Sequence, residues 1–118
     1  MPATLRKGFG PYFKMQEIDL DPRYLRLLLE LLAENVPGTE VWAYGSRVTH
    51  NAHETSDLDL VIRNPRQLEQ PLHLQKLRAA LADSNLPIVV DVLDWASIPD
   101  DFRREIQSQV VVPLISAY

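Results

Sequence analysis

Asp57-Leu58-Asp59 sets two carboxylates two positions apart, and the dipeptide Gly45-Ser46 precedes them with ten residues between. Successive side chains of a strand point to opposite faces, so Asp57 and Asp59 share one face while Leu58 points into the body of the protein. Carboxylates on one face repel each other unless a cation lies between them. A hard divalent metal answers that need, because Mg²⁺ prefers one or two carboxylates together with the oxygens of a substrate phosphate. Gly45-Ser46 supplies the other half of a phosphate site. Glycine between strand and helix lets the backbone approach a ligand closely, and the first amides of a helix direct N–H groups at an anion. Ser46 adds a hydroxyl and Arg47 a charge.

A third carboxylate, Asp91, stands inside Ile88-Val89-Val90-Asp91-Val92-Leu93, the most β-prone segment of the chain. With period two, Val89, Asp91 and Leu93 share one face of that strand, and Val90, Val92 and Asp94 the other. An aspartate buried in such a run is costly unless it is paired or metal-bound, so Asp91 is expected to be buried and to want a metal. If its strand lies beside the Asp57 strand, the three carboxylates converge. Asp94 ranks second, because capping or solvent can satisfy it at the strand's end.

These residues need elements to position them. Asp21-Pro22 reads as an N-cap followed by proline at the first helical position, and Leu25, Leu28, Leu29, Leu32 and Val36 recur at helical spacing, predicting a helix over 22–35. Leu27 and Leu31 widen its apolar stripe and hint at a protein contact. Glu40 to Tyr44 reads as a strand ending at Gly45, Ser46 to His50 as a helical turn, and 51–56 as a polar loop. Asp57 to Ile62 reads as a central strand, followed by a helix within 67–83 with Leu74, Leu77 and Leu81 on one face. Ser97 to Asp100 resembles a cap for a helix over 101–108, and Val110 to Ile115, interrupted by Pro113, reads as an edge strand or packed tail. Trp42, Tyr44 and Trp95 read as core aromatics before base-stacking ones. His50 and His53 have no third nitrogen or sulfur ligand nearby, so a histidine metal site is not expected.

The 118 residues read as one domain over 21–118 behind an irregular arm over 1–20, where Gly8, Gly10 and Pro11 punctuate scattered aromatics. The composition is 46% hydrophobic and 24% charged, which suits a globular core. A net charge of -4 gives no electrostatic case for long nucleic acid. Zero cysteines exclude disulfides and thiolate zinc sites. No apolar run has the length of a membrane span, and no signal peptide is evident, so a cytoplasmic protein is expected. The oligomeric state is left open.

Gly45-Ser46-Arg47 through Ser56-Asp57-Leu58-Asp59-Leu60, followed by Val90-Asp91-Val92, resembles the minimal nucleotidyltransferases of the DNA polymerase β superfamily over about residues 22 to 110. The resemblance implies an α/β (α+β) fold, a small mixed sheet flanked by helices. It implies that Asp57 and Asp59 hold two Mg²⁺ ions, that Asp91 holds one of them and activates the attacking hydroxyl, and that Gly45 and Ser46 grip the triphosphate of ATP or another NTP, with Arg47 beside them. Many members continue Gly-Ser-Arg-Ala-Arg-Gly, whereas Val48, Thr49 and His50 follow Arg47 here. Stand-alone members are often antitoxins that adenylylate a tyrosine of a small helical HEPN ribonuclease. The resemblance therefore implies transfer of NMP, AMP before others, to a hydroxyl of such a partner. A non-catalytic module that neutralises or scaffolds a helical partner, and transfer to RNA or a small molecule, are the competing expectations.

Overall fold

The computed structural model describes residues 18–53 and 56–116. Helix α1 (Pro22–Asn35) begins as its sequence dictates: the Asp21 carboxylate accepts the Arg23 backbone N–H at 2.9 Å, and Pro22 occupies the first turn, where a missing N–H costs nothing. It ends where the Val36 N–H donates to the Leu32 carbonyl, just before Pro37. There follow β1 (Glu40–Tyr44), the one-turn α2 (Ser46–Thr49), β2 (Leu58–Arg63), α3 (Gln75–Asp83), β3 (Val90–Asp94), a 3₁₀ turn (Trp95–Ser97), α4 (Asp100–Ser108) and β4 (Val112–Ile115).

The four strands form one mixed sheet in the order β3-β2-β1-β4. β1 pairs antiparallel with β2 and with β4, and β2 pairs parallel with β3 across the connection that contains α3. This is the small mixed sheet with helices that the sequence led us to expect. Pro113 sits in β4, a strand with one neighbour, where proline's missing N–H is tolerated.

Period two divides the sheet between two cores. One face carries Val41, Ala43, Leu58, Leu60, Ile62 and Val92 against Leu25, Leu28 and Leu32 of α1 and Leu77 and Leu81 of α3. Leu29 and Leu31 pack against this same core, which takes up part of the α1 stripe's extra breadth. The other face carries Tyr44 and Val61 against Trp95 and Ile106, with Trp42 and Phe102 at the margin. There the Arg63 guanidinium lies 4.3 Å from the Trp42 ring centroid and 5.0 Å from that of Trp95, while its Nε donates to Glu40 at 3.0 Å. Trp42 and Trp95 meet edge to face at 5.6 Å, so these aromatics serve packing.

Several sequence expectations need correcting. The helix expected within 67–83 starts only at Gln75, because Pro71 and the turns before it hold the chain out of helical geometry. Ser97 does not cap α4, whose N-cap is Pro99 without a side-chain bond. Its hydroxyl donates instead to Asp94 at 2.7 Å. The arm assigned to 1–20 lies largely outside the described residues; of its last residues, Ile18 is buried in the main core and the Asp19 N–H donates to the Arg47 carbonyl at 2.7 Å. Most consequentially, Asp91 is exposed and Asp94 is the buried aspartate of β3. Asp91 escapes burial because β3 lies at the sheet's edge and the face that carries Asp91 is open to water.

Asp94 is buried at little cost because its carboxylate accepts from the backbone N–H groups of Leu72 (3.1 Å) and Ala96 (3.2 Å) as well as from Ser97 Oγ. It thereby pins the approach to α3 and the 3₁₀ turn to the end of β3. Asp94→Ala leaves those donors short of an acceptor, and urea unfolding is expected to show a loss of about 1–3 kcal/mol. Equal stability of variant and parent would refute this anchoring role.

Candidate active site

Strand directions gather the chemistry at one end of the sheet. β1 runs antiparallel to β2, and β2 parallel to β3, so the end of β1 lies beside the beginnings of β2 and β3. Tyr44 closes β1 opposite Asp59, the second residue of β2, and Asp59 lies opposite Asp91, the second residue of β3. Tyr44, Asp59 and Asp91 are thus cross-strand neighbours on one face. Leu58, between the two aspartates of Asp-x-Asp, is fully buried on the opposite face. Asp57 lies one residue before β2 and is exposed, not inside the strand as expected.

The electrostatics record this crowding. Burial raises the Asp59 carboxyl above the ordinary aspartate value, and the charges of Asp91 and Asp57 raise it further. Among the described residues no ion pair involves Asp57, Asp59 or Asp91. Tyr44, read from sequence as a core aromatic before a base-stacking one, was not placed among the acids. Burial, then Asp59, Asp91 and Glu105, push its phenol up to about 12, so it stays a neutral O–H beside the carboxylates. Its position immediately before Gly45 was the available signal: a strand that leads into the phosphate turn ends beside the acids.

Gly45 has φ +85° and ψ -158°, a region that essentially only glycine enters. A Cβ built there would lie 2.6 Å from Asp59 Oδ2. The glycine is therefore required twice, for its conformation and for the room it leaves the carboxylate. Ser46 opens α2, whose Val48 and Thr49 N–H groups donate back to the Gly45 carbonyl. His50 stands where the related pattern has glycine, and it adopts the left-handed conformation (φ 63°, ψ 29°). Thr49, at the pattern's second arginine, turns its hydroxyl back to the Gly45 carbonyl at 3.3 Å. His50 thus keeps the left-handed turn that glycine would give, and Thr49 removes the charge of the pattern's second arginine.

Arg47 is 7% exposed and faces the loop. Its Nη1 donates to the Asp19 carbonyl (2.7 Å), its Nε and Nη2 to that of Ser56 (3.2 and 3.0 Å), and Nη2 also to that of His53 (3.2 Å). Those bonds give Arg47 the task of holding His53 and Ser56, and so the entry to Asp57. His50 and His53 are exposed on either side of the loop's start.

Asp57, Asp59 and Asp91 present oxygen donors only, the chemistry of Mg²⁺ rather than of zinc or copper. Among the described residues no group of three or more His, Cys, Asp or Glu side chains is placed to hold a metal ion. The register brings Asp59 and Asp91 together, and Mg²⁺ takes one or two carboxylates beside water and substrate phosphate.

Two comparisons bear on this geometry. The family model described as polymerase beta, nucleotidyltransferase matches residues 28–113, which include all of these residues. The chain is 40% identical over 96 residues to a probable protein adenylyltransferase MntA of Haemophilus influenzae, an alignment covering 81% of this chain and 83% of that relative.

Two outcomes test the site. Gly45→Ala forces a side chain into a glycine-only conformation against Asp59, and thermal or urea unfolding should show a loss on the order of 1–3 kcal/mol. Retention of full stability would contradict the contact. Because the folded Asp59 pKa is raised, its ionisation opposes folding: the penalty is absent below the ordinary aspartate range and complete above the folded pKa. Asp59→Asn should therefore raise the melting temperature in EDTA at about pH 7 and lose that advantage near about pH 3. The same gain at both pH values would exclude carboxylate repulsion as its cause.

Proposed function

Because the chain belongs to the polymerase beta nucleotidyltransferase family, we propose that it is a metal-dependent enzyme that transfers AMP from ATP to a hydroxyl of a protein. The observation that carries this reading is the cross-strand row of Asp59 and Asp91 with Gly45 packed on the Asp59 carboxylate. A protein acceptor is favoured by the relative described as a probable protein adenylyltransferase. The resemblance adds the finer reading: a tyrosine of a small helical HEPN-type partner, with this chain as the antitoxin of the pair.

Asp57, Asp59 and Asp91 would hold two Mg²⁺ ions, which when bound neutralise charge on the triphosphate and on the attacking and leaving oxygens. The protein's own contributions follow from where its groups stand. Gly45 lets the backbone approach the phosphates closely, and Ser46 presents its hydroxyl at the start of α2. Asp91, at the open edge, receives the proton as the acceptor oxygen bonds to the α-phosphorus. The bond from that phosphorus to the bridging oxygen breaks, and pyrophosphate leaves. Tyr44, held as a neutral phenol by burial and by the charges of Asp59, Asp91 and Glu105, borders the carboxylates without adding charge.

The test is transfer of label from α-labelled ATP with Mg²⁺ to a HEPN-type protein. Asp57→Asn is expected to lower the rate on the order of a hundredfold or more, as loss of an electrostatic group aimed at the reacting phosphate does elsewhere. Undiminished labelling by that variant would remove Asp57 from the mechanism.

A further inference from the structure

Beside Asp91, on the flank away from Gly45, the last turns of α3 and the edge of β3 enclose a groove of about 540 Å³. One wall is Leu81 and Ala82, and the other runs from Leu86 to Val92. Val89 on its lip is 64% exposed, the most open of the large apolar side chains among the described residues. The backbone of this edge is oriented by two bonds. Leu58 N–H donates to the Val89 carbonyl, which therefore faces β2, and alternation turns the carbonyls of Val90 and Val92 outward. The Val92 carbonyl accepts from Arg78 Nη2 at 2.9 Å, while the N–H and C=O of Val90 point the same way into the groove.

We infer that this groove seats the acceptor: an extended segment of the acceptor protein, a loop or tail that carries the accepting hydroxyl and pairs its backbone with Val90. The inference rests on the transfer proposed above and names where its second substrate binds. Two arguments fix the occupant. The row Gly45, Asp59, Asp91 crosses the sheet in that order, so a triphosphate gripped at Gly45 and Ser46 fills the β1 side, and the second substrate has the β3 side. The lining is apolar with an exposed valine, an outward-facing strand backbone, and Arg78 and Asp91 as its charged members. Such a lining suits an extended polypeptide added to a sheet edge, and lacks the run of cations that a phosphate backbone recruits.

Val89→Glu and Ala82→Glu place a charge on opposite walls at exposed positions that the fold does not need. Binding of the HEPN-type protein, measured by calorimetry without nucleotide, should weaken at least about tenfold in each, with the affinity for ATP and Mg²⁺ unchanged. Unchanged affinity in both variants, or no binding by the parent chain, overturns the groove. So does a single-stranded RNA oligonucleotide whose binding depends on Val89 and Ala82. Groove-dependent binding without any transfer of label leaves the docking site standing and refutes the transferase reading instead.

Discussion

Like charges on Asp59 and Asp91 are held side by side by the parallel pairing of β2 and β3, with no counterion of the protein's own among the described residues. Neighbouring strands lie about 4.8 Å apart, and unit charges at such a spacing repel by roughly 3 kcal/mol at an effective dielectric of about 20. Water at exposed Asp91 reduces this. What opposes the repulsion is the far face of the same strands. Leu58, Leu60 and Ile62 are fully buried, and each such side chain contributes about 1.5–3 kcal/mol. Because a one-residue slip would send those side chains to the solvent face, the register is set by apolar burial, and the carboxylates must accept the positions it leaves them.

The backbone around the acids shows a second, related compromise. Gly45 adopts a conformation that costs any other residue dearly, and His50, five positions on, is held left-handed although it is not glycine. Both sit at the ends of a single helical turn that is too short to be stable alone. That turn is fixed from outside: Val48 is buried in the main core, and Arg47 ties the loop's carbonyls and the chain at Asp19 to it. Strain persists here because the surroundings over-determine the local geometry. Arg47 shows how this is done with one side chain, since its planar fork satisfies the carbonyls of Asp19, His53 and Ser56, which would otherwise have to find water.

The sequence was most legible where a physical rule is local. Asp21-Pro22 marked the start of α1, the Gly-Ser turn marked the end of β1, and Pro113 marked an edge strand. It was less legible where the answer depends on which element lies next door. Asp91 and Asp94 carry the same side chain three positions apart in an apolar run, and nothing local says that β3 is an edge. Reading Asp91 as buried within an apolar run buried the wrong aspartate. The carbonyls that Arg47 bonds were illegible for the same reason, because they lie up to 28 residues away. Tyr44 escaped notice as a member of the site because its neighbour Asp59 belongs to another strand.

The contrast between Asp91 and Asp94 also explains why one strand can serve both folding and chemistry. Adjacent to the core formed by α1 and α3, Asp94 accepts from three donors, and a carboxylate so occupied has little capacity left for a metal. On the opposite face Asp91 faces water and a like-charged neighbour. A group in that situation gains from any cation that arrives. An odd spacing along a period-two strand is what separates the two roles: at an even spacing both aspartates would share a face, and the donors that anchor β3 would compete with the ligand for the same oxygens.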